Sequence, residues 1–160
     1  MLVVAWPPVS ISPLLFFALV PLLLVLQTEE KSKRAFLLAY ITFFVWFAGT
    51  MYWIGNVAMQ VDDQLKLLLA FILAPLFMTL PVWAFHRMVK PKSRPLGWLL
   101  LPFFWVAYEF LHSQWDLAFS WLNLGLGLSP ASWLTGVYSI TGPIGGSLLI
   151  VLVNALVALG

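Results

Sequence analysis

The sequence predicts an all-α fold, a polytopic transmembrane helix bundle with about five spanning helices. Hydrophobic residues make up 62% of the chain and charged residues only 9%, whereas about a quarter of the residues in soluble domains are charged. The mean hydropathy is +0.99. Uncharged runs such as 36–61 and 117–160 reach the roughly 20 residues that a spanning helix needs. No stretch alternates in polarity like the strands of a membrane barrel, so helices are the predicted spanning elements.

The first third of the chain predicts an interfacial segment followed by two helices. Residues 1–12 contain Pro7 and Pro8, and helix breakers in such a short segment favour a position at the membrane interface over a span. A helix is predicted at about 13–27, and a second at about 35–56.

The rest of the chain predicts three more helices and one long loop. The third helix, at about 65–86, contains Pro75 and Pro81, which predict a kink. No repeat or linker divides the chain, so one domain covering residues 1–160 is expected. The remaining predicted elements are helices at about 96–112 and 132–160, joined by an aromatic loop at 113–131.

The distribution of basic residues predicts the orientation of the bundle. Seven of the eight Lys and Arg residues fall in two alternate loops, 28–34 and 87–95. Because basic loops are retained on the cytoplasmic side during insertion, both loops are predicted to be cytoplasmic. Loops 57–64 and 113–131 then lie on the opposite, outer side of the membrane. The basic clusters indicate contact with anionic lipid and give no evidence of nucleic-acid binding.

Glu109 is an acid inside an otherwise apolar segment, and this makes it a candidate site residue. Trp105 and His112 lie four and three residues away, so all three side chains project from one helical face. A charge within the bilayer is costly and implies a partner. Three roles stay open: accepting hydrogen bonds from the adjacent loop, contacting a lipid head group or substrate, and general acid or base chemistry.

The aromatic loop offers the second group of candidates, Trp115, Phe119 and Trp121. Such residues form interface belts in many membrane proteins, but their clustering here also fits a surface that binds an acyl chain or a lipidated peptide. Trp53, at the end of the second predicted helix, belongs to the same side. Asn154 in the last helix is expected to make an interhelical hydrogen bond, and the Gly145-Gly146 pair to mark a close-packing site.

The residue inventory limits the chemistry. There is no cysteine, which excludes thiolate metal sites and a cysteine nucleophile within these residues. The two histidines, His86 and His112, fall on opposite sides of the membrane, so they cannot share a metal, and both are expected to be solvated at helix ends. No catalytic residue, metal site or cofactor is predicted.

The sequence resembles the membrane portion of the apolipoprotein N-acyltransferases, over nearly its whole length. The order and spacing of several short motifs carry the resemblance. These motifs are Trp6-Pro7-Pro8 with Pro13, Gly49 to Ile54 (GTMYWI), Leu101 to Leu111 (LPFFWVAYEFL), Phe119 to Leu122 with Gly125, and Leu152 to Leu156.

The resemblance implies a ping-pong acyl transfer in the bacterial cytoplasmic membrane. An acyl group leaves a phospholipid for an enzyme cysteine and then passes to the amino terminus of a diacylglyceryl-modified apolipoprotein. In the family, a nitrilase-like domain supplies a Glu-Lys-Cys triad, and this chain does not contain that domain. The family has eight spanning helices, of which the chain resembles roughly the second to the sixth. It is therefore expected to be a fragment, a truncated gene product or a split subunit.

Two residues carry over by motif. Trp121 matches a functionally important tryptophan of the family, in the loop that borders the active-site chamber, and Glu109 matches the acid of the preceding helix. The chain departs from the pattern at Ser120, where proline is usual, and at His112, where arginine is common. Leu126 and Leu128 also replace more polar residues.

The leading functional hypothesis is a membrane platform that admits phospholipid and lipidated apolipoprotein to such an acyltransferase. One alternative is a small non-enzymatic subunit that binds lipid or acts as a scaffold. A less favoured alternative is a transporter that uses Glu109 as a coupling carboxylate. The candidate substrate-binding or lipid-binding residues are Trp121, Glu109, Phe119, Trp115, His112 and Trp53.

Overall fold

A computed structural model describes residues 1–6, 9–56, 61–89, 95–114, 120–131 and 135–160. Within these ranges all regular structure is helical, which confirms the predicted all-α class. The α-helices are α1 (Leu2–Ala5), α2 (Val20–Thr28), α3 (Ser32–Met51), α4 (Val61–Val89), α5 (Leu101–His112) and α6 (Thr135–Leu159). Turns of 3-10 helix lie at Ser12–Phe16, Tyr52–Asn56, Pro95–Leu100, Ser120–Leu122 and Leu124–Leu128.

The helices have the lengths and composition of a membrane bundle. Among the described residues, the segments long and apolar enough to cross a bilayer are Ser32–Asn56, Gln64–Val89 and Tyr138–Leu159. The shorter apolar segments Ser12–Thr28 and Leu96–His112 occupy the positions of the other two predicted helices. The protein is therefore a polytopic membrane protein.

The helices form a ring around an aromatic core. Contacts run from α3 to α4, α4 to α5, α5 to α6, α6 to α2 and α2 back to α3. Inside the ring, the indole of Trp46 meets Trp6 edge-on with 5.3 Å between ring centroids, and Phe43 lies 5.4 Å from Trp105. These large buried rings join the end of α1 to α3 and α5, because aromatic pairs combine a large buried area with a preferred geometry.

The predicted first helix is divided into a 3-10 turn and α2, and Asn154 of α6 holds the division together. Its side-chain oxygen accepts the backbone N–H groups of Leu19 at 2.8 Å and Val20 at 3.1 Å. Its amide nitrogen donates to the carbonyl of Leu15 at 2.7 Å. A break in a helix leaves backbone groups without intrahelical partners. The predicted interhelical hydrogen bond of Asn154 is confirmed, and its partners are these backbone groups.

The basic end of the bundle is the end where the α2–α3 connection meets the end of α4. His86 donates a ring N–H to the carbonyl of Glu29 at 2.8 Å, and Trp83 donates to the Ser32 hydroxyl at 2.8 Å. The guanidinium of Arg87 lies 5.1 Å from the centre of the Trp83 ring. The expectation that His86 is solvated was wrong: it is 6% exposed, because the connection folds over it.

The opposite end, called the aromatic end, contains the end of α3 and the segment 120–128. There α6 is broken at Gly142, whose φ of 62° and ψ of −170° are not helical, and Pro143 follows. The predicted close packing at Gly146 is confirmed, since a Cβ atom there would lie 3.0 Å from the Cα of Gly125. The segment 120–128 thus lies directly against the broken part of α6.

Candidate functional site

Glu109 lies inside the bundle at the aromatic end of α5 and is 2% exposed. Its Oε1 atom accepts two hydrogen bonds, from the indole N–H of Trp105 at 2.8 Å and from the backbone N–H of Leu124 at 2.9 Å. The Ser147 hydroxyl of α6 lies close to the carboxyl group. Oε2 is buried and has no hydrogen-bond partner within the described part of the chain. The carboxyl group therefore joins α5, the segment 120–128 and α6.

The segment 124–125 is fixed at consecutive backbone amides. The N–H of Leu124 is bonded to Glu109, and the N–H of Gly125 donates to the Ser147 hydroxyl at 2.8 Å. The Tyr138 hydroxyl donates to the carbonyl of Gly125. A buried backbone group that is left unpaired costs free energy comparable to a lost hydrogen bond. These three contacts therefore determine where this segment lies against α5 and α6.

Trp53 and Trp121 form an exposed pair at the aromatic end. Trp53 follows α3 and Trp121 lies in the segment 120–128, so the two come from segments far apart in the sequence. Their ring centroids are 6.0 Å apart with planes tilted by 36°, yet Trp53 is 40% exposed and Trp121 60% exposed. Two indoles that touch each other and remain accessible present a continuous aromatic surface.

His112 lies at the end of α5, as the sequence predicted, but its side chain is buried. It is 8% exposed, because its ring stacks on Tyr108 at 5.4 Å and packs against Phe77 of α4 at 5.6 Å. The expectation that it is solvated at the helix end was wrong. It faces α4, whereas Glu109 faces the segment 120–128, so the two side chains serve different contacts.

The described residues bring four of the predicted candidates to the aromatic end: Trp53 and Trp121 at the surface, and Glu109 and His112 buried in the last turn of α5. Two further candidates, Trp115 and Phe119, lie outside the described residues. Sequence reasoning missed Ser147 and Tyr138 as partners of the segment 120–128. Ser147 had a signal of its own, because a small polar residue directly after a Gly-Gly pair in an apolar helix is typical of a close polar contact.

This arrangement is suited to recognition. In the described parts of the chain, no group of three His, Asp or Glu side chains is placed to hold a metal ion. The sequence has no cysteine to act as a thiolate nucleophile. What the aromatic end offers is a pair of exposed ring faces on a fixed backbone, which suits contact with acyl chains and with the amphipathic boundary of a bilayer.

A family model and two curated relatives place the chain in the same family. The family model of the apolipoprotein N-acyltransferase N-terminal domain matches residues 1–156. The chain is similar to an apolipoprotein N-acyltransferase of Chlorobaculum tepidum, with 29% identity over 154 residues, and to one of Geobacter metallireducens, with 29% identity over 158 residues. Each alignment covers 96% of this chain but only 28% and 30% of the respective relative. No solved structure matches the chain.

Proposed function

Because the chain belongs to the family of the apolipoprotein N-acyltransferase N-terminal domain, we propose that it is the membrane platform of a lipoprotein N-acyltransferase. In this role the bundle admits a phospholipid acyl donor and a diacylglyceryl apolipoprotein, and it presents them for acyl transfer to the N-terminal cysteine amine of the apolipoprotein. The observation that carries the proposal is the exposed Trp53–Trp121 pair at one end of a membrane bundle. A rigid aromatic surface there can contact the acyl chains of a lipidated peptide.

Within this proposal, Glu109 is a positioning residue. Its contact with the Leu124 amide lies only three residues beyond Trp121, so the carboxyl group fixes the backbone that presents the indole. Trp115 and Phe119, which belong to the same loop in the sequence, are proposed to contribute to substrate contact on the periplasmic side, and His112 supports α5 against α4. The basic end, with Lys31, Lys33, Arg34 and Arg87, then faces the cytoplasm of a bacterial cell.

The reacting groups come from outside these residues. The proposed ping-pong transfer passes through an acylated cysteine, and the sequence contains none. A nitrilase-like domain, in the same polypeptide or in a separate chain, supplies the Glu-Lys-Cys triad in this scheme. If acyl transfer does not appear when the bundle and such a domain are present together, the non-enzymatic lipid-binding alternative is favoured.

The experiment that tests the proposal measures capture of a lipidated peptide. A diacylglyceryl-cysteine peptide with a photoreactive group is added to the chain in vesicles of phosphatidylethanolamine and phosphatidylglycerol, and the saturable cross-linking yield is recorded. We expect Trp121→Ala to lower the apparent affinity about ten- to thirtyfold, because truncating a large anchoring aromatic costs of order 1.4 to 2 kcal/mol. Trp121→Phe, which keeps a ring face, should retain part of the affinity.

Phe110→Ala is the matched control, because Phe110 is an exposed aromatic of α5 (54% exposed) that contributes to neither the tryptophan pair nor the Glu109 contacts. It should leave the affinity unchanged. Circular dichroism checks that all variants keep their helix content, and co-flotation with the vesicles after alkaline extraction checks that they insert. If Trp121→Ala and the parent bind the lipidated peptide with equal affinity, Trp121 does not contact the substrate and is only an aromatic residue of the membrane interface.

A further inference from the structure

A groove of about 690 Å³ lies between α4 and α5, on the side of the bundle. Its volume is within the range of roughly 300 to 1,000 Å³ that is typical of sites for small ligands. All but two of the side chains in its wall are apolar. The lining residues are Phe77, Leu80, Pro81, Ala84, Phe103, Phe104, Ala107, Tyr108, Leu111 and His112.

Aromatic contacts at two levels hold the helices apart and define the groove between them. At one level Phe77 of α4 meets His112 of α5 with 5.6 Å between ring centroids. At the other, Phe85 of α4 lies 5.8 Å from Phe104. Between these levels the walls carry small side chains, notably Ala84 and Ala107, which cannot fill the gap that the larger rings create. The groove therefore results from the packing of α4 against α5.

The groove opens sideways, towards the region that the bilayer occupies around a membrane bundle. Leu80, Phe103 and Leu111, all in its wall, are 41%, 63% and 68% exposed. From Phe103 to His112 the groove follows α5 for roughly 14 Å, at 1.5 Å per residue. The hydrocarbon core of a bilayer is about 30 Å thick, so the groove has the depth of one leaflet.

The polar side chains of the groove, Tyr108 and His112, lie towards the aromatic end of the bundle, and their rings stack at 5.4 Å. The other side chains of the wall are apolar, including all of those towards the basic end. A ligand that matches this pattern has one polar end and one long hydrocarbon chain. A phospholipid in the leaflet at the aromatic end has its polar head group at that end, and its acyl chains run from there towards the bilayer centre.

We propose that the groove between α4 and α5 is a resident-lipid site that holds one acyl chain of a bilayer phospholipid, with the ester end at His112 and the methyl end near Phe103 and Ala84. This goes beyond the proposed function, because it assigns a lipid site to a part of the bundle separate from the Trp53–Trp121 surface. It holds whether or not the chain serves acyl transfer.

The test uses vesicles of phosphatidylethanolamine and phosphatidylglycerol that contain a small fraction of phosphatidylethanolamine with a diazirine on one acyl chain. After irradiation, the labelled residues of the chain are mapped by peptide mass spectrometry. Labelling of groove residues should saturate as the probe fraction rises. A diazirine near the ester end should label around Leu111, and one near the methyl end around Phe103.

Two substitutions close the groove from opposite walls, so that failure of one to fold leaves the other. Ala107→Trp and Ala84→Leu should each lower the saturable labelling at least about fivefold. Val45→Trp and Val45→Leu are matched controls, because Val45 is exposed on α3 and does not line the groove. They should leave the labelling unchanged.

Four results would contradict the proposal, the last of them by reversing the assigned direction of the acyl chain. One is labelling that rises in proportion to the probe and spreads evenly over the exposed faces of the helices. Another is saturable labelling that both groove substitutions leave intact. The third is cross-linking of the groove to a second copy of the chain or to another helix in place of lipid, which would identify a protein occupant. A reversed pattern of the two diazirine positions would contradict the assigned direction of the chain.

Discussion

At the scale of single residues, Glu109 shows how an acid can be kept inside a membrane bundle. Burying a carboxyl group without partners is costly, and the cost falls when hydrogen bonds compensate for the lost water. Here the indole of Trp105 and the amide of Leu124 both donate to Oε1. Glu109 thus provides a hydrogen-bond acceptor for a segment whose backbone is not paired within an α-helix. This structural role is sufficient to explain an acidic residue at this position, and no catalytic role is needed.

The hydrogen-bond acceptor at position 109 is therefore expected to matter more for stability than the negative charge does. Glu109→Gln keeps a carbonyl oxygen for the N–H groups of Trp105 and Leu124, and it should change the thermal unfolding midpoint in detergent only slightly. Glu109→Leu leaves both donors buried and unpaired, at about 1 to 3 kcal/mol for each. It should lower the midpoint markedly and weaken capture of the lipidated peptide.

The same pair of variants tests the transporter alternative. If Glu109 carries protons, Glu109→Gln should abolish proton flux in liposomes and should affect function as much as Glu109→Leu does. Equal destabilisation by the two variants would also contradict the acceptor role, because it would show that the negative charge and not the oxygen position is required.

At the scale of elements, the segment 124–128 and the break in α6 depend on each other. Gly142 and Pro143 interrupt α6, and Gly125 lies directly against the backbone at that interruption. A Cβ atom on Gly125 would fall 1.8 Å from the carbonyl oxygen of Pro143. Only glycine allows this approach, and the approach places the amide of Leu124 beside Glu109.

Gly125→Ala should therefore displace the segment from α6. We expect a loss of about 1 to 3 kcal/mol in the free energy of unfolding, in line with other overpacked sites, and a change in tryptophan fluorescence as Trp121 separates from Trp53. Gly55→Ala is the matched control, since a Cβ there would meet only the Leu67 side chain at 3.9 Å. Equal stability of the two variants would show that the segment can shift without cost.

At the scale of the whole molecule, the sequence predicted the fold class well because the physical constraint is strong. A bilayer requires long apolar segments with internally paired backbones, and such segments are visible in composition alone. The division of the predicted first helix into Ser12–Phe16 and α2 was not predictable, because Leu and Phe continue through it. Its stability comes from Asn154, more than a hundred residues later in the chain.

The candidate site was predictable in its residues and not in its geometry. Glu109 and Trp121 stood out by type and position, but their partners Ser147 and Trp53 come from elements whose contacts depend on the packing order of the ring. The solvation expected of His86 and His112 failed for the same reason. Each lies at a helix end that a neighbouring segment covers, Glu29 in one case and Phe77 in the other.

In the proposed function, lipidated substrate binds at the aromatic end of the bundle. The most direct measurement is the position at which a photoreactive diacylglyceryl-cysteine peptide becomes attached to the chain in vesicles, read by peptide mapping. We expect attachment to be concentrated on Tyr52–Asn56 and on the segment 120–128, and to be lost in Glu109→Leu. Attachment spread evenly along the lipid-facing sides of α3 and α4, or concentrated at the basic end, would contradict it.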